Sequence, residues 1–261
     1  MVFIQQPDFP LVPPRELLSD EPPLETYRHL VQILLFLSCL EWCWQERNDF
    51  FAAGNLSIYY NLQQLKTKDF RGPDFFVVLD TERKERKSWV VWEEGGKYPN
   101  FILEILSDST AANDRGLKKQ LYQNIFRTPE YFWFDPYTLE FAGFHLSKSV
   151  YEPISPSEQG WLWSQQLELY LGIHNEQLRF FTPEGELVPT PQEEAARQVE
   201  LAQMAQQQAE QERQYAQKEH QHAEQERQRA EQEHQRAEQE HQRAERLAAK
   251  LRELDIDPTQ L

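Results

Sequence analysis

The chain has 261 residues and a formal net charge of −16, with seven Trp, ten Tyr and sixteen Phe. This acidity argues against broad, nonspecific nucleic-acid binding, which depends on dense Lys and Arg, but it leaves room for a local site. The large apolar side chains lie almost entirely before Pro191, so we expect one domain of ordinary size with a polar extension.

Two cysteines and one short apolar stretch bear on the cellular location. Cys39 and Cys43 lie four apart within a predicted helix and read as small core residues, with metal or redox chemistry a minor alternative. The stretch from Val31 to Leu40 is too short to span a bilayer, and no secretory signal pattern precedes it. We therefore expect a cytoplasmic protein without a membrane partner.

In chain order, a proline-rich arm over residues 1–23 comes first, because it contains six prolines and no periodicity. A largely buried helix is predicted from Leu24 to about Trp44. Its apolar positions are Leu30, Val31, Leu34, Leu35, Leu37 and Leu40. The β-branched and aromatic residues around Gly54-Asn55 then predict a hairpin over residues 50–60.

Three apolar runs, at residues 75–79, 89–92 and 101–106, predict a strand meander with Asp74 and Glu104 on its outer members. A helix capped by Asn113 or Asp114 should run to about Phe126. Its predicted apolar stripe consists of Leu117, Leu121 and Ile125.

Strands over residues 131–134 and 140–145 follow that helix, so a right-handed crossover should lay the helix across the sheet. Residues 161–181 read as short edge strands or loops that close the domain. The expected fold is α/β, a mixed central sheet flanked by helices, within residues 24–190.

Residues 191–261 form a low-complexity repeat with an alanine at every seventh position from Ala202 to Ala244. The surrounding Gln, Glu and Arg favour a long helix with many ion pairs at helical spacing. A second apolar position per heptad is missing, which favours a solvated helix over a coiled coil, although weak homo-oligomerisation remains open. Metal binding by the repeated histidines is a minor alternative.

Two carboxylates lie where a charge is costly. Asp74 directly precedes one apolar run, and Glu104 interrupts another. An unpaired carboxylate there would cost several kcal/mol or keep its proton, so a metal ion or a cation should compensate it. Lys118, on the following helix, is the candidate cation. Asp74 as a turn cap and Glu104 as a structural partner of Lys118 are the alternatives.

The region from Gly72 to Pro136 resembles the Uma-two family of predicted endonucleases, of the PD-(D/E)XK restriction-endonuclease-like superfamily. The matching motifs are Pro73-Asp74, Glu104-Ile105-Leu106-Ser107 with Ser109-Thr110, Asp114-Arg115-Gly116 with Lys118 and Tyr122, and the segment from Pro129 to Pro136. The resemblance implies a restriction-endonuclease-like fold and a nuclease that acts on DNA with Mg²⁺, or Mn²⁺, as cofactor.

The resemblance also implies roles for individual residues. Asp74, Glu104 and the carbonyl group of Ile105 would bind the metal, and Lys118 would position the attacking water. The superfamily's usual lysine position holds Leu106 here, and the lysine of the related subgroup lies on the next helix. An ammonium group needs a place near the metal-bound water rather than a fixed place in the sequence.

Four further residues are expected to support the site. Asp114 and Tyr122 lie four residues on either side of Lys118, on one side of the helix. An acidic segment that related chains carry near their start is absent, and Glu25, four residues before His29, is the candidate replacement. Both residues could instead be structural. The alternative function is a catalytically inactive nuclease-fold scaffold that recruits partners through its helical tail.

Overall fold

The structure is a computed structural model that describes residues 17–19, 21, 24, 26–61, 72–107 and 110–253, without side chains for 251–253. Glu25, Ser109 and most of the predicted arm lie outside these residues. The chain divides into two compact units, Met1–Glu194 and Ala195–Leu261. In the described part of the chain, no helix is long and apolar enough to cross a membrane.

Helix α1 (Tyr27–Cys43) begins after Thr26, whose hydroxyl accepts a hydrogen bond from the His29 backbone N–H. Its buried side chains are His29, Gln32, Ile33, Phe36, Cys39 and Leu40. The predicted apolar face was partly wrong, because Leu30 and Leu34 are exposed. Two polar side chains, His29 and Gln32, take buried positions instead, since each has a specific partner, Asp74 and the Leu178 backbone respectively.

The central sheet has six strands in the order β1-β3-β5-β6-β7-β8. These strands are β1 (Phe50–Gly54), β3 (Phe75–Leu79), β5 (Phe101–Ile105), β6 (Glu130–Phe134), β7 (Phe141–Ser147) and β8 (Val150–Pro153). Within this sheet β5 and β6 pair in parallel and the other four pairs are antiparallel, so the sheet is mixed as predicted. Strands β3, β5 and β6 are buried along almost their whole length, and are therefore mostly apolar, because both faces of the sheet are covered.

The predicted hairpin and meander were wrong in their pairing. Strand β2 (Ile58–Tyr59) does not pair with β1 but pairs in parallel with β4 (Trp89–Val90), in a separate two-stranded sheet. Because β4 lies in that separate sheet, β3 pairs directly with β5, and the two strands are antiparallel. Local turn signals cannot reveal such pairing, because it joins segments distant in sequence.

Residues 111–126 form one helical segment, α2, that connects β5 to β6. It alternates between α-helix and π-helix, with π-helical turns at Asp114–Lys118 and Tyr122–Phe126. The predicted apolar stripe was wrong, because Leu117 is 71% exposed and Ile125 is also exposed. Asp114, Tyr122 and Phe126 are buried instead.

A second, three-stranded antiparallel sheet consists of β9 (Leu162–Ser164), β10 (Leu169–His174) and β11 (Gln177–Phe181). Its apolar side chains share one core with α1 and one face of the central sheet. Tyr122 and Phe126 of α2 pack on the other face. The C-terminal helix (Pro191–Glu253) is long and almost wholly exposed beyond its first turn, as its composition predicts.

Candidate active site

Strand pairing brings Asp74 and Glu104 together at one end of the central sheet. In the β3–β5 ladder Phe75 lies opposite Leu103, so Asp74 lies beside Glu104. The Asp74 backbone N–H donates to Glu104 Oε2 at 3.4 Å, and the Ile105 N–H donates to Asp74 Oδ2 at 2.7 Å. The Glu104 carboxylate therefore contacts the backbone of Asp74, and the Asp74 carboxylate contacts the backbone of the residue after Glu104.

Glu104 is completely buried and binds two side chains of helix α2. Lys118 Nζ donates to Glu104 Oε2 at 2.9 Å, and the Tyr122 hydroxyl donates to Glu104 Oε1 at 2.6 Å. Lys119 points elsewhere, with its Nζ 3.3 Å from the centre of the Phe144 ring. Lys118 is thus the lysine that meets the carboxylates, as expected.

Asp114 completes the row on helix α2. Its Oδ1 lies 3.0 Å from Lys118 Nζ, and its backbone carbonyl accepts from the Tyr131 hydroxyl at 2.8 Å. Four residues make slightly more than one turn of an α-helix but slightly less than one turn of a π-helix. Alternating the two keeps Asp114, Lys118 and Tyr122 in line, all directed at the sheet. π-Helical turns often occur at functional sites.

Helix α1 contributes His29 from the opposite face of the sheet. The buried His29 Nε2 lies 3.1 Å from Asp74 Oδ1. Asp74 also accepts from Asn55 through its backbone carbonyl, which fixes the start of β3. The structure therefore brings together Asp74, Glu104, Lys118, Asp114, Tyr122 and His29, whereas Glu25 lies outside the described residues.

The two central carboxyl groups of the cluster have pKa values shifted in opposite directions. Burial opposes the charge of Asp74, but the nearby His29 and Lys118 and the Ile105 N–H outweigh it and lower the Asp74 pKa. Burial raises the Glu104 pKa well above its usual range; Lys118 acts against this shift, and the charges of Asp74 and Asp114 add to it. Burial lowers the pKa of Lys118, but the surrounding carboxylates outweigh it and raise that pKa overall.

Glu21 is a further acidic residue at the site that the sequence did not reveal. Its Oε1 accepts hydrogen bonds from the Ser57 hydroxyl, at 2.8 Å, and from the Gly72 backbone N–H. Burial raises the Glu21 pKa, while Lys118 lowers it and Asp74 raises it, which places Glu21 within electrostatic reach of both. Glu21 stands in a segment without periodicity, so only its acidic type could have suggested it.

The donor chemistry of the cluster fits a hard divalent cation. Carboxylate oxygens are the ligands that Mg²⁺ prefers, and the four acidic residues Asp74, Glu104, Asp114 and Glu21 outnumber the one lysine, Lys118, that contacts the cluster. Burial is the main cause of the raised pKa values of Glu104 and Asp114, and the negative charge of neighbouring carboxylates adds to both shifts. Among the described residues, however, no three His, Cys, Asp or Glu side chains already have a metal-holding arrangement.

Comparisons with known proteins relate the chain to one family. The family model Uma2, "Putative restriction endonuclease", matches residues 16–176, well over half of the chain. A crystal structure of a "putative nuclease belonging to DUF820" from Anabaena variabilis is 14% identical with a TM-score of 0.41, covering 56% of this chain and 76% of that chain. A search of curated proteins gives no match.

Proposed function

Because the chain belongs to the Uma2 family, whose model is described as "Putative restriction endonuclease", we propose that it hydrolyses phosphodiester bonds in DNA with a divalent cation, Mg²⁺ or Mn²⁺. The observation that carries the proposal is the convergence of Asp74, Glu104 and Lys118 at one end of the sheet. A buried ion cluster with strongly shifted pKa values is typical of a functional site.

Each residue has a proposed role. Asp74, Glu104 and the Ile105 carbonyl would hold the cation, which when bound would stabilise negative charge on the phosphate. The Lys118 ammonium group has three N–H donors, and Asp114 and Glu104 hold it in place. It would therefore orient the attacking water. Tyr122 fixes the Glu104 carboxylate through its hydroxyl, and His29 fixes Asp74.

The raised pKa of Lys118 bears on its role. An ammonium group that stays protonated donates hydrogen bonds and stabilises developing negative charge, but it does not take a proton from water. We therefore assign Lys118 to orientation and charge stabilisation.

One observation favours the alternative function, a catalytically inactive nuclease-fold scaffold. Both Glu104 oxygens already have partners, Lys118 and Tyr122, so a structural ion pair accounts for its burial without catalysis. For cation binding, Lys118 must share or release Glu104. The two functions therefore differ in whether the cluster opens for a metal ion.

Cleavage of supercoiled plasmid and of single-stranded DNA, with Mg²⁺ or Mn²⁺, tests the proposal. The variants are Asp74→Asn and Glu104→Gln, which remove the charge with little change of shape. Asp80→Asn is the matched control, because Asp80 is exposed and outside the cluster.

We expect metal-dependent cleavage by the wild-type protein and by Asp80→Asn, and a loss of at least about 100-fold in both site variants, the scale of a lost charge-stabilising group. No cleavage by folded wild-type protein with either metal would favour the scaffold. Equal cleavage by wild type and Asp74→Asn would mean that the activity arises elsewhere.

A further inference from the structure

A groove at the start of helix α1 has an arginine and an exposed tyrosine in its lining, and a second exposed tyrosine lies next to that arginine. Tyr27 and Arg28 begin helix α1, and Tyr137 lies in the turn after β6. Tyr27 is 81% exposed and Tyr137 is 58% exposed. Large aromatic side chains this exposed contribute little to the core, so their surfaces are free to contact a ligand.

Arg28 is held in place but keeps its charge available. Its Nη1 donates to the Pro136 carbonyl at 2.8 Å, and its guanidinium carbon lies 5.2 Å from the centre of the Tyr137 ring. Neither contact neutralises it, and among the described residues Arg28 makes no ion pair. Arg86 and Arg115, by contrast, are paired with Glu94 and Glu140. Arg28 is thus a fixed cation with N–H donors left for a phosphate.

The groove itself is large enough for a flat ring system and has polar walls. It encloses about 240 Å³ between the start of α1, Pro136 and the β10–β11 turn. That turn supplies Asn175, Glu176 and Gln177. Amide and carboxylate groups of this kind can exchange hydrogen bonds with the edges of a nucleobase.

The groove lies at the same end of the sheet as the proposed cleavage site. Arg28 precedes His29, whose Nε2 is 3.1 Å from Asp74. Pro136 follows β6, whose last residue, Phe134, pairs with Ile105 next to Glu104. A strand with one phosphate at the carboxylates could therefore reach the groove within a few nucleotides.

We propose that this groove binds an unpaired nucleotide, with Arg28 on a phosphate and with Tyr27 and Tyr137 stacking on bases. The proposal rests on the nuclease function above and narrows its substrate to DNA with unpaired bases. Stacking on a side chain requires a base face that a duplex keeps covered, and it tolerates any sequence. The groove would also bind DNA through a small area with few basic residues, which fits a chain that is acidic overall.

Fluorescence anisotropy with the full chain tests the groove separately from catalysis. The probes are a labelled single-stranded oligonucleotide and the duplex of the same sequence, in EDTA so that metal-dependent cleavage cannot occur. The variants are Tyr27→Ala, Tyr137→Ala and Arg28→Gln. Matched controls on the C-terminal helix are Tyr215→Ala, 75% exposed in the wild type, and Arg213→Gln.

We expect the wild-type protein and the controls to prefer the single strand, and each groove variant to bind it about tenfold more weakly, the scale of one lost stacking or charged contact. Because all three groove residues are exposed, their melting temperatures should match the wild type. Wild-type binding that is absent or stronger for the duplex, or groove variants that bind as the wild type does, would overturn the assignment.

Failure of the groove and failure of the nuclease function give different results. If Asp74→Asn abolishes plasmid cleavage while the groove variants bind and cleave normally, only the groove assignment is wrong. If the wild type binds the single strand through the groove but cleaves nothing with Mg²⁺ or Mn²⁺, the groove stands and the nuclease function fails.

Discussion

At the residue scale, the pairing of Glu104 with Lys118 dominates the site. Glu104 is fully buried and Lys118 nearly so, with their charged atoms 2.9 Å apart. Breaking a buried pair by removing one partner leaves an uncompensated charge and is strongly destabilising, whereas replacing both partners is often neutral. The pair therefore couples stability to the chemistry of the site.

We predict that Lys118→Met lowers the free energy of unfolding by about 3 kcal/mol at pH 8, because Glu104 then lacks its cation. Adding Glu104→Gln should recover much of that loss, since the amide carries no charge. Urea unfolding of the two single variants and the double variant measures the coupling. Losses that simply add would show that the two side chains do not depend on each other.

Charge placement made Asp74, Glu104 and Lys118 recognisable from the sequence, because acidic residues next to apolar runs need an explanation. The contact between His29 and Asp74 was beyond local reasoning, since it joins a helix and a strand distant in sequence. Glu21 was missed for the same reason: its partners Ser57 and Gly72 follow it by more than thirty residues.

At the element scale, helix α2 presents polar groups to the sheet because π-helical turns change which residues align. Gly116 lies in the first π-helical turn, and a Cβ there would meet no atom within 4 Å. Its backbone therefore tolerates a side chain. A glycine in a helix costs stability mainly through the freedom of the unfolded chain.

We predict that Gly116→Ala raises the free energy of unfolding by about 0.5–1 kcal/mol. Gly143→Ala is the contrasting variant, because its Cβ would collide with the buried Phe132 ring. That variant should lose about 1–3 kcal/mol through overpacking. Thermal unfolding of both is the measurement, and destabilisation by Gly116→Ala would mean that the π-helical turn needs glycine.

Apolar runs predicted β3 and β5 almost residue for residue, because strands covered on both faces consist mostly of apolar residues. Their partners were not predictable from turn signals. The stripe of α2 was wrong because a 3.6-residue period was assumed for a segment with wider turns. The buried polar row Asp114, Lys118 and Tyr122 replaces that stripe, since each member has a partner there.

At the scale of the whole molecule, the start of the C-terminal helix belongs to the first unit. Glu193, in the first turn, accepts from Arg179 Nη2 at 2.7 Å, and the buried Arg179 lies on β11. The Thr190 and Glu193 side chains also cap each other's backbone N–H groups. Residues 191–194 are thus part of the domain contacts, and we propose moving the predicted boundary from 190 to 194.

The pH dependence of this contact has a definite sign. Hydrogen bonding from Arg179 lowers the Glu193 pKa to about 2 in the folded chain, below its ordinary value in the unfolded chain. The stabilisation is therefore present above about pH 4.5 and is lost as pH falls towards 2.

We predict that Glu193→Gln lowers the free energy of unfolding by about 1 kcal/mol at pH 7. This value allows for solvent screening, because the Glu193 side chain is half-exposed. The difference from wild type should shrink as pH falls from 5 to 3. Urea unfolding across this range measures it, with Glu200→Gln on the exposed helix as the control. A difference that does not change with pH would contradict the ion-pair origin.

Truncation tests the domain boundary. We predict that a fragment of residues 1–194 melts within about 3 °C of the full chain, because the residues beyond contribute almost no buried apolar area. A fragment of residues 1–190 should melt several degrees lower, since the buried Arg179 loses its carboxylate partner. Equal melting of the two fragments would return the boundary to residue 190. Sedimentation of the full chain and of the 1–194 fragment then tests homo-oligomerisation through the helix.

Cation binding is the central property of the proposed site, and Mn²⁺ binding followed by electron paramagnetic resonance tests it most directly. The measurement gives the concentration of free Mn²⁺ in solutions of the wild type, Asp74→Asn and Asp80→Asn. Each solution also contains a single-stranded oligonucleotide whose phosphorothioate linkages resist cleavage. We predict one tightly bound Mn²⁺ per chain for wild type and Asp80→Asn, and its loss in Asp74→Asn. The same Mn²⁺ binding by wild type and Asp74→Asn, or no tight binding by folded wild type, would contradict the metal site.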